Sequence, residues 1–290
     1  MKKALQVTIV TLGLIAISTF LAPIVYQILP QFKFEKILNR LLMISVVVTC
    51  FLFLRFDRKL LEACGLTQRQ KMLPHWLIGF FVSFIILIAL VVLELGIGAV
   101  TLNHDRFPRF NQLFLALLTG MTVGIIEEFF FRGFIFLKLK NKFGCVKALI
   151  ATNLIYSAAH FIKSGRPLIE GQPTLYDSWR VIGASFHEFL KWSEFWPGFI
   201  GLFIFGLVLS YSFKRTGALF VPMGIHAGAV AFLKMTNKLV VPNPDISQII
   251  SGGKGFYSGI LGWVFIGLIA VFVGQIFRKL LPDNKSQPLN

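Results

Sequence analysis

The sequence predicts an all-α membrane protein, a polytopic helical bundle of about eight transmembrane helices around a polar site. Of the 290 residues, 56% are hydrophobic and only 14% are charged, a balance far outside that of an average soluble domain. A water-soluble fold could not bury so much apolar surface, whereas helices in lipid can leave it exposed. Apolar stretches of spanning length recur along the chain, and few ionisable residues fall inside them.

Eight apolar stretches are candidate spans, because each approaches the roughly 20 residues that a helix needs to cross a bilayer. Lys2 and Lys3 precede the first stretch as in a signal peptide, but this stretch is long and lacks a small-residue cleavage site, so we interpret it as a membrane helix. Several later stretches are short or interrupted by Gly and Pro, which is typical of buried helices lining a cavity. The stretches are residues 4–26, 38–56, 76–100, 111–137, 146–162, 197–213, 217–234 and 256–278.

The formal net charge of +16 comes from short Lys and Arg clusters between the apolar stretches. This distribution indicates contact with anionic lipid headgroups and argues against nucleic-acid binding, which needs a basic face. The loops on the side of the two termini carry the larger share of Lys and Arg, so the positive-inside rule predicts cytoplasmic N and C termini. We therefore expect an integral protein of the cell (inner) membrane.

One long connection, residues 163–196, separates the fifth and sixth stretches and mixes charged with aromatic residues. Its C-terminal part is predicted to be either an amphipathic helix at the membrane interface or a solvated loop with aromatic anchors. The chain from Pro282 onward is short and polar, and we expect it to be a disordered tail.

Three charged residues lie inside the fourth stretch: Glu127, Glu128 and Arg132. Each charge at bilayer depth costs about 2.5–3.5 kcal/mol on insertion scales, so the cluster indicates either function or a paired network that fixes helix packing. Glu128 and Arg132 are four residues apart and can pair on one helical face. Glu127 points about 100° away and is predicted to be the free carboxylate. Gly120 and Gly124 leave room beside it for a helix, water or an extended peptide.

Two later stretches each contribute a histidine to the predicted site. Asn153, Ser157 and His160 recur at i, i+4 and i+7, a polar stripe that suggests a hydrated cavity. His226 stands between two glycines, one turn after Pro222, which is expected to loosen the helix and free a carbonyl. Either histidine alone is weak evidence for a site, because a lone membrane histidine is often only an interhelical hydrogen-bonding residue.

Other polar residues receive no chemical role. Glu94 is interpreted as structural or interfacial, and His75, His104 and His187 fall in predicted loops as solvated histidines. The three cysteines form neither a C-x-x-C pair nor an even framework, which indicates neither a structural zinc site nor obligatory disulfides.

Three segments, taken in order, resemble the CPBP family, the CAAX prenyl protease type II and bacteriocin-processing (Abi) intramembrane endopeptidases. The family motifs are E-E-x-x-x-R, F-x-x-x-H and H-x-x-x-N. They correspond here to Glu127-Glu128-Phe129-Phe130-Phe131-Arg132-Gly133, to Tyr156-Ser157-Ala158-Ala159-His160, and to His226 with Val230. The resemblance covers roughly residues 112–235 and divides the chain into N-terminal helices without a motif (1–110), a protease core (111–236), and a loop, last helix and tail (237–290).

This resemblance implies an intramembrane endopeptidase with its active site inside the bundle, a glutamate-activated water as nucleophile, and no cofactor. Glu127 would be the general base, His160 would position the water or exchange protons, and His226 would donate to the developing oxyanion. The supporting residues would be Glu128, Arg132, Asn153 and Tyr156. The implied substrate is a membrane protein or peptide, possibly lipidated.

Two departures from the family motifs bear on this interpretation. Tyr156 replaces the usual Phe and keeps an aromatic wall. Val230 replaces an Asn that helps to bind the oxyanion, and losing one such contact typically costs about 2.7–4 kcal/mol of transition-state stabilisation. Asn153 is a candidate replacement donor.

Two alternatives remain open at the level of sequence. A zinc-dependent mechanism is the lesser one, because H-E-x-x-H is absent and Arg132 disfavours a cation beside the glutamates. The other is a non-catalytic scaffold, immunity or transport-coupled protein that uses the same polar residues for packing.

Overall fold

The computed structural model describes residues 2–56, 58–162, 165–252 and 255–280, and nearly all of its regular structure is helical. Two short strands, β1 (Val100–Leu102) and β2 (Val240–Pro242), pair antiparallel with Thr101 opposite Val241. The helices are α1 (Lys2–Ile28), α2 (Phe34–Phe56), α3 (Arg58–Ala63), α4 (Arg69–Gly96), α5 (Phe110–Glu128), α6 (Leu137–Phe143), α7 (Cys145–Ala159), α8 (Leu175–Ala184), α9 (Trp192–Thr216), α10 (Phe220–Thr236), α11 (Gln248–Ser251) and α12 (Ile260–Leu280). The all-α prediction is confirmed, and the tail from Pro282 onward lies outside the described residues.

Four helical segments are long and apolar enough to cross a membrane, and α5 and α6 form one of them together with the residues between. The segments are Arg69–Gly96, Phe110–Phe143, Trp192–Thr216 and Ile260–Leu280. Shorter apolar helices cover Leu12–Ile28, Cys145–Ala159 and Phe220–Thr236. These helices support a polytopic integral membrane protein, and the count of eight spans stays a prediction.

The described residues fall into two compact units, one drawn from residues 1–58 and 158–195 and the other from 59–157 and 196–290. This grouping follows contacts within the fold. The predicted division into 1–110, 111–236 and 237–290 follows motifs and stays a prediction.

In the first unit, α1 packs against α2, and α8 packs against α1. A small core joins the three helices, with buried residues Ala22, Phe34, Leu38 and Val181. Ser18 and Ser45 are linked by a hydrogen bond of 2.6 Å. Helix α8 occupies the middle of the predicted connection 163–196, whereas the C-terminal part contains a short 3₁₀ turn (His187–Leu190) before α9 begins.

The N-terminus of α8 is fixed by a capping box. The backbone N–H and the hydroxyl of Thr174 both donate to Oδ2 of Asp177, at 2.9 and 2.8 Å. These hydrogen bonds lower the pKa of Asp177. The cap therefore stabilises the helix above the ordinary carboxyl pKa and weakens as the pH falls through the lowered value.

In the second unit, α10 packs against both α4 and α5. Nearly every residue from Phe220 to Phe232 is buried, as expected for a helix that is apolar on all sides. Glycines allow close backbone contact: Gly224 of α10 faces the carbonyl of Trp76, and Gly124 of α5 faces that of Met223. The space predicted beside Gly120 and Gly124 is therefore filled by a neighbouring helix.

Two local predictions about helix boundaries are wrong. Helix α10 begins at Phe220, so Pro222 lies in the first turn, where a missing N–H has no intrahelical partner to lose. Pro222 therefore does not loosen the helix. Helix α4 begins at Arg69 rather than near residue 76, so His75 is inside it. The His75 ring is buried and packs edge-on against Phe277, with centroids 4.9 Å apart.

Replacing Gly224 with Ala is expected to destabilise the protein by about 1–3 kcal/mol, the usual range for overpacking. A Cβ atom at this position would lie 2.9 Å from the backbone nitrogen of Phe80 and closer still to the Trp76 carbonyl. Thermal unfolding in detergent measures the effect. Gly267→Ala in α12 is the matched control, because nothing lies within 4 Å of its added Cβ. Equal unfolding temperatures for the two variants would contradict the close α4–α10 contact.

Candidate active site

A buried ion pair forms the centre of the polar cluster in the second unit. Arg132 Nη1 donates to Glu128 Oε1 at 2.9 Å, and both side chains are completely buried. The i, i+4 spacing predicted this pair. The winding was not predicted: α5 ends at Glu128 and continues directly as a π-helical segment, Phe129–Phe136, which contains Arg132. Short π-helical segments occur frequently at functional sites.

Arg132 also connects the π-helical segment to α7 and α9. Its Nη2 donates to Asn153 Oδ1 at 3.2 Å and to the carbonyl of Gly206 at 3.0 Å. Its guanidinium carbon lies 4.5 Å from the ring centroid of Tyr156. A buried charge is tolerated when it is paired and hydrogen-bonded in this way.

His226 lies next to both glutamates. Its Nδ1 is 2.7 Å from Glu128 Oε1, and its Nε2 is 3.7 Å from Glu127 Oε2. The predicted angle of about 100° between adjacent residues therefore does not separate the two carboxylates, because they approach opposite nitrogens of one imidazole. Their exposure differs, since Glu128 is completely buried whereas the Glu127 side chain is 31% exposed.

The network assigns the tautomer of His226. Glu128 is paired with Arg132 and accepts hydrogen bonds as a carboxylate, so His226 Nδ1 must carry the hydrogen that it shares with Glu128. In the neutral ring, Nε2 then has a lone pair and cannot donate. The predicted role of His226 as an oxyanion donor therefore requires the protonated imidazolium.

The side-chain amide of Asn153 accepts a hydrogen bond from Arg132 and is itself held by neighbouring groups. Its Nδ2 donates to the carbonyl of Leu149 at 2.9 Å and to Ser210 Oγ at 3.2 Å. Both amide hydrogens are thus engaged, so the suggestion that Asn153 replaces the oxyanion donor missing at Val230 is not supported. Val230 lies one turn after His226 on α10 and is partly buried.

The predicted polar stripe on α7 is used mainly for helix packing. Ser157 Oγ donates to the carbonyl of Phe199 in α9 at 2.5 Å, and Asn153 and Tyr156 are fully buried. The Tyr156 ring packs edge-on against Phe131, with centroids 5.0 Å apart. These contacts hold α7 against its neighbours, and the hydrated cavity that the stripe suggested stays a prediction.

His160 lies beyond the end of α7, which stops at Ala159, and is grouped with the first unit. The sequence had placed it inside a stretch ending at residue 162. Glu94, interpreted as structural or interfacial, is buried near the end of α4 and is 4% exposed.

Two residues that the sequence did not single out, Gly206 and Ser210 of α9, complete the cluster. A Cβ atom on Gly206 would lie 2.6 Å from Asn153 Oδ1, so glycine gives the amide access to Arg132. The only sequence signal was a pair of small residues, Gly206 and Ser210, at i and i+4 in an apolar helix, a pattern that predicts close helix contact but names no partner.

Comparison with known proteins gives one family match. Residues 109–232 match the model for Rce1-like type II CAAX prenyl endopeptidases, a protease family. No curated protein and no solved structure matches the chain significantly. The matched segment contains all seven residues predicted for the site: Glu127, Glu128, Arg132, Asn153, Tyr156, His160 and His226. The motif-based resemblance is thus confirmed over this segment, which is similar to the Rce1-like family of type II CAAX prenyl endopeptidases.

Proposed function

We propose that the protein is an intramembrane endopeptidase in which Glu127 activates the water that attacks the peptide bond. One observation carries the choice of Glu127. Glu128 is completely buried and held by Arg132 and His226, whereas its neighbour keeps 31% of its side chain exposed beside the same histidine. A general base must reach both solvent and substrate, and only Glu127 of the two carboxylates combines exposure with this position.

The proposed chemistry needs no covalent intermediate with the enzyme. The Glu127 carboxylate takes a proton from water as the water oxygen bonds to the scissile carbonyl carbon, and the carbonyl oxygen becomes the oxyanion. The protonated Glu127 then gives this proton to the leaving nitrogen as the C–N bond breaks. By the family resemblance, His160 positions the water.

His226 would act in this reaction as an imidazolium. With Nδ1–H held by Glu128, the protonated ring directs Nε2–H away from that pair, where it can donate to the oxyanion. Glu128 stabilises the charged ring, and Arg132 in turn holds Glu128. Both residues thus orient His226 without touching the substrate.

The substrate we propose is a membrane-associated protein or peptide. The family name indicates prenylated C-terminal CAAX tails as the first substrates to test. We further propose that the protein lies in the cell (inner) membrane with cytoplasmic termini, and that anionic lipid headgroups contact its basic loops.

Removal of metal ions is expected to leave the activity unchanged. Glu127 and His226 each offer a ligand atom for zinc, but the nearby Arg132 guanidinium disfavours a cation. Proteolysis by the purified protein, measured with and without phenanthroline or EDTA, checks this expectation. Loss of activity that returns with added zinc would favour the metal-dependent mechanism instead.

A non-catalytic scaffold, immunity or transport-coupled protein is the competing function. It is favoured by Val230, which offers no hydrogen-bond donor, and by the extensive bonding of Arg132 inside the bundle. This alternative explains Glu128 and Arg132, but packing gives no reason for a second, partly exposed carboxylate beside His226.

The two functions are separated by comparing the proteomes of membranes that contain the wild-type protein or Glu127→Gln. Gln is nearly isosteric and cannot accept the proton. We expect at least one uncut membrane protein to accumulate with the variant at equal expression. Identical processing in both membranes would overturn the proposed function.

A further inference from the structure

An apolar groove runs along the contact between α4 and α12, away from the glutamates. Its volume is about 820 Å³, and every side chain that lines it is apolar. Both helices are long and apolar enough to cross a membrane. Residues on the two sides include Phe81, Ile85, Ala89, Phe265 and Phe272.

The groove is open to the surroundings of the bundle. Phe81, Ile85 and Phe272 are 52%, 59% and 48% exposed. Exposing these apolar side chains to water would cost free energy, whereas contact with a hydrocarbon chain of a bilayer would not. Because both walls are helices long and apolar enough to cross a membrane, the groove matches an acyl chain in chemistry and surroundings.

One end of the groove is basic. The contact between the His75 and Phe277 rings brings the start of α4 next to the end of α12. Lys71 precedes the lining residue Ile78 by seven positions, and Lys279 follows the lining residue Phe272 by seven. Helical periodicity therefore places both lysines on the two stripes that form the groove.

Within the described ranges of α4 and α12, the two helix ends that meet here carry no acidic residue. The first turn of α4 has no acidic residue, and the last turn of α12 has none and carries Arg278 beside Lys279. Basic side chains at one end of an apolar groove between two helices match the two parts of an anionic phospholipid, its headgroup and its acyl chains.

We propose that this groove binds an anionic phospholipid of the surrounding bilayer. One acyl chain lies between α4 and α12, and the phosphate lies between Lys71 and Lys279. A zwitterionic lipid fills the groove but gains no net attraction at its end. Each lysine near a lipid surface contributes about fivefold in affinity, so the two together favour the anionic lipid by roughly 10- to 30-fold.

Native mass spectrometry of the full chain in neutral detergent tests the proposal. Phosphatidylglycerol and phosphatidylcholine with identical acyl chains are titrated separately. The wild type should bind phosphatidylglycerol about 10- to 30-fold more tightly, and Lys71→Gln/Lys279→Gln should abolish this preference. Lys140→Gln/Lys147→Gln removes the same amount of charge elsewhere in the second unit and should keep the preference for phosphatidylglycerol.

Two results would overturn the proposal: a preference that survives in Lys71→Gln/Lys279→Gln, or one that both double variants lose equally. A second pair of measurements does not depend on the lysine variants. Ala89→Phe, which fills the groove, should weaken binding of both lipids, and glycerol 3-phosphate, which lacks acyl chains, should not displace phosphatidylglycerol from the wild type. Unchanged lipid binding by Ala89→Phe or effective competition by glycerol 3-phosphate would exclude a site that holds an acyl chain.

Discussion

Glu127→Gln is expected to lower the rate of peptide hydrolysis by about 10²–10⁴-fold, the range for loss of a general base. Gln has nearly the same shape as Glu but cannot take the proton from water. The Glu127 side chain is 31% exposed, so solvent screens its charge, and Gln keeps the size of the side chain. The fold should therefore lose little when this charge is removed.

The measurement is kcat/KM for a cleaved substrate, together with the thermal unfolding temperature of each purified variant. Glu62→Gln is the control, because Glu62 is an exposed glutamate of the same unit, outside the polar cluster. Its rate and unfolding temperature should match the wild type. Undiminished hydrolysis by Glu127→Gln would contradict the assignment of the general base. A large loss of stability together with activity would instead indicate a structural role for this carboxylate.

Arg132→Met is expected to reduce the free energy of unfolding by about 3–5 kcal/mol, because removing one partner of a buried pair leaves the other charge uncompensated. Glu128 is completely buried and would lose its guanidinium partner, keeping only its contact with His226 Nδ1 at 2.7 Å. The carbonyl of Gly206 would also lose a hydrogen bond. Met has nearly the length of the aliphatic part of the Arg side chain, so the loss of stability mainly measures the missing charge and hydrogen bonds.

The loss is measured by heating each variant in detergent and recording the fraction of protein that stays monodisperse. Arg180→Met is the matched control: Arg180 pairs with Asp177 at 3.1 Å, but its side chain is 39% exposed. Exposed pairs contribute about 0–1 kcal/mol, so the control should change little. Adding Glu128→Gln to Arg132→Met should recover part of the stability, because no unpaired buried charge remains. Equal effects of Arg132→Met and Arg180→Met would contradict the central place given to the buried pair.

The features that the sequence predicted correctly are local ones. The apolar stretches identify the helices because composition alone decides whether a segment can lie in lipid. The Glu128–Arg132 pair follows from four-residue spacing within one helix. The glycines of α5 and α10 predict close helix contact, because their missing Cβ atoms allow backbones to approach.

Features that depend on partners from distant segments could not be read from the sequence. The Gly206 carbonyl is 74 positions from Arg132, and no pattern in α9 marks it as a hydrogen-bond acceptor for a guanidinium. The placement of His226 between the two glutamates depends on the packing of α10 against α5. Contacts among the π-helical segment, α7 and α9 engage Asn153 with Arg132 and Ser210, which removes it as a substitute for the donor missing at Val230.

The π-helical segment Phe129–Phe136 also affects how the chain tolerates changes in length. A π-helix takes more residues per turn than an α-helix, so side chains after Glu128 turn through smaller angles than a regular helical wheel assigns. The segment thus accommodates extra chain length inside a continuous membrane helix without breaking it. Deleting a single residue here could be absorbed by rewinding into regular α-helix, but that rewinding would change the direction of Arg132 relative to Asn153 and Gly206. Insertions and deletions in this segment therefore alter the geometry of the site while leaving the span intact.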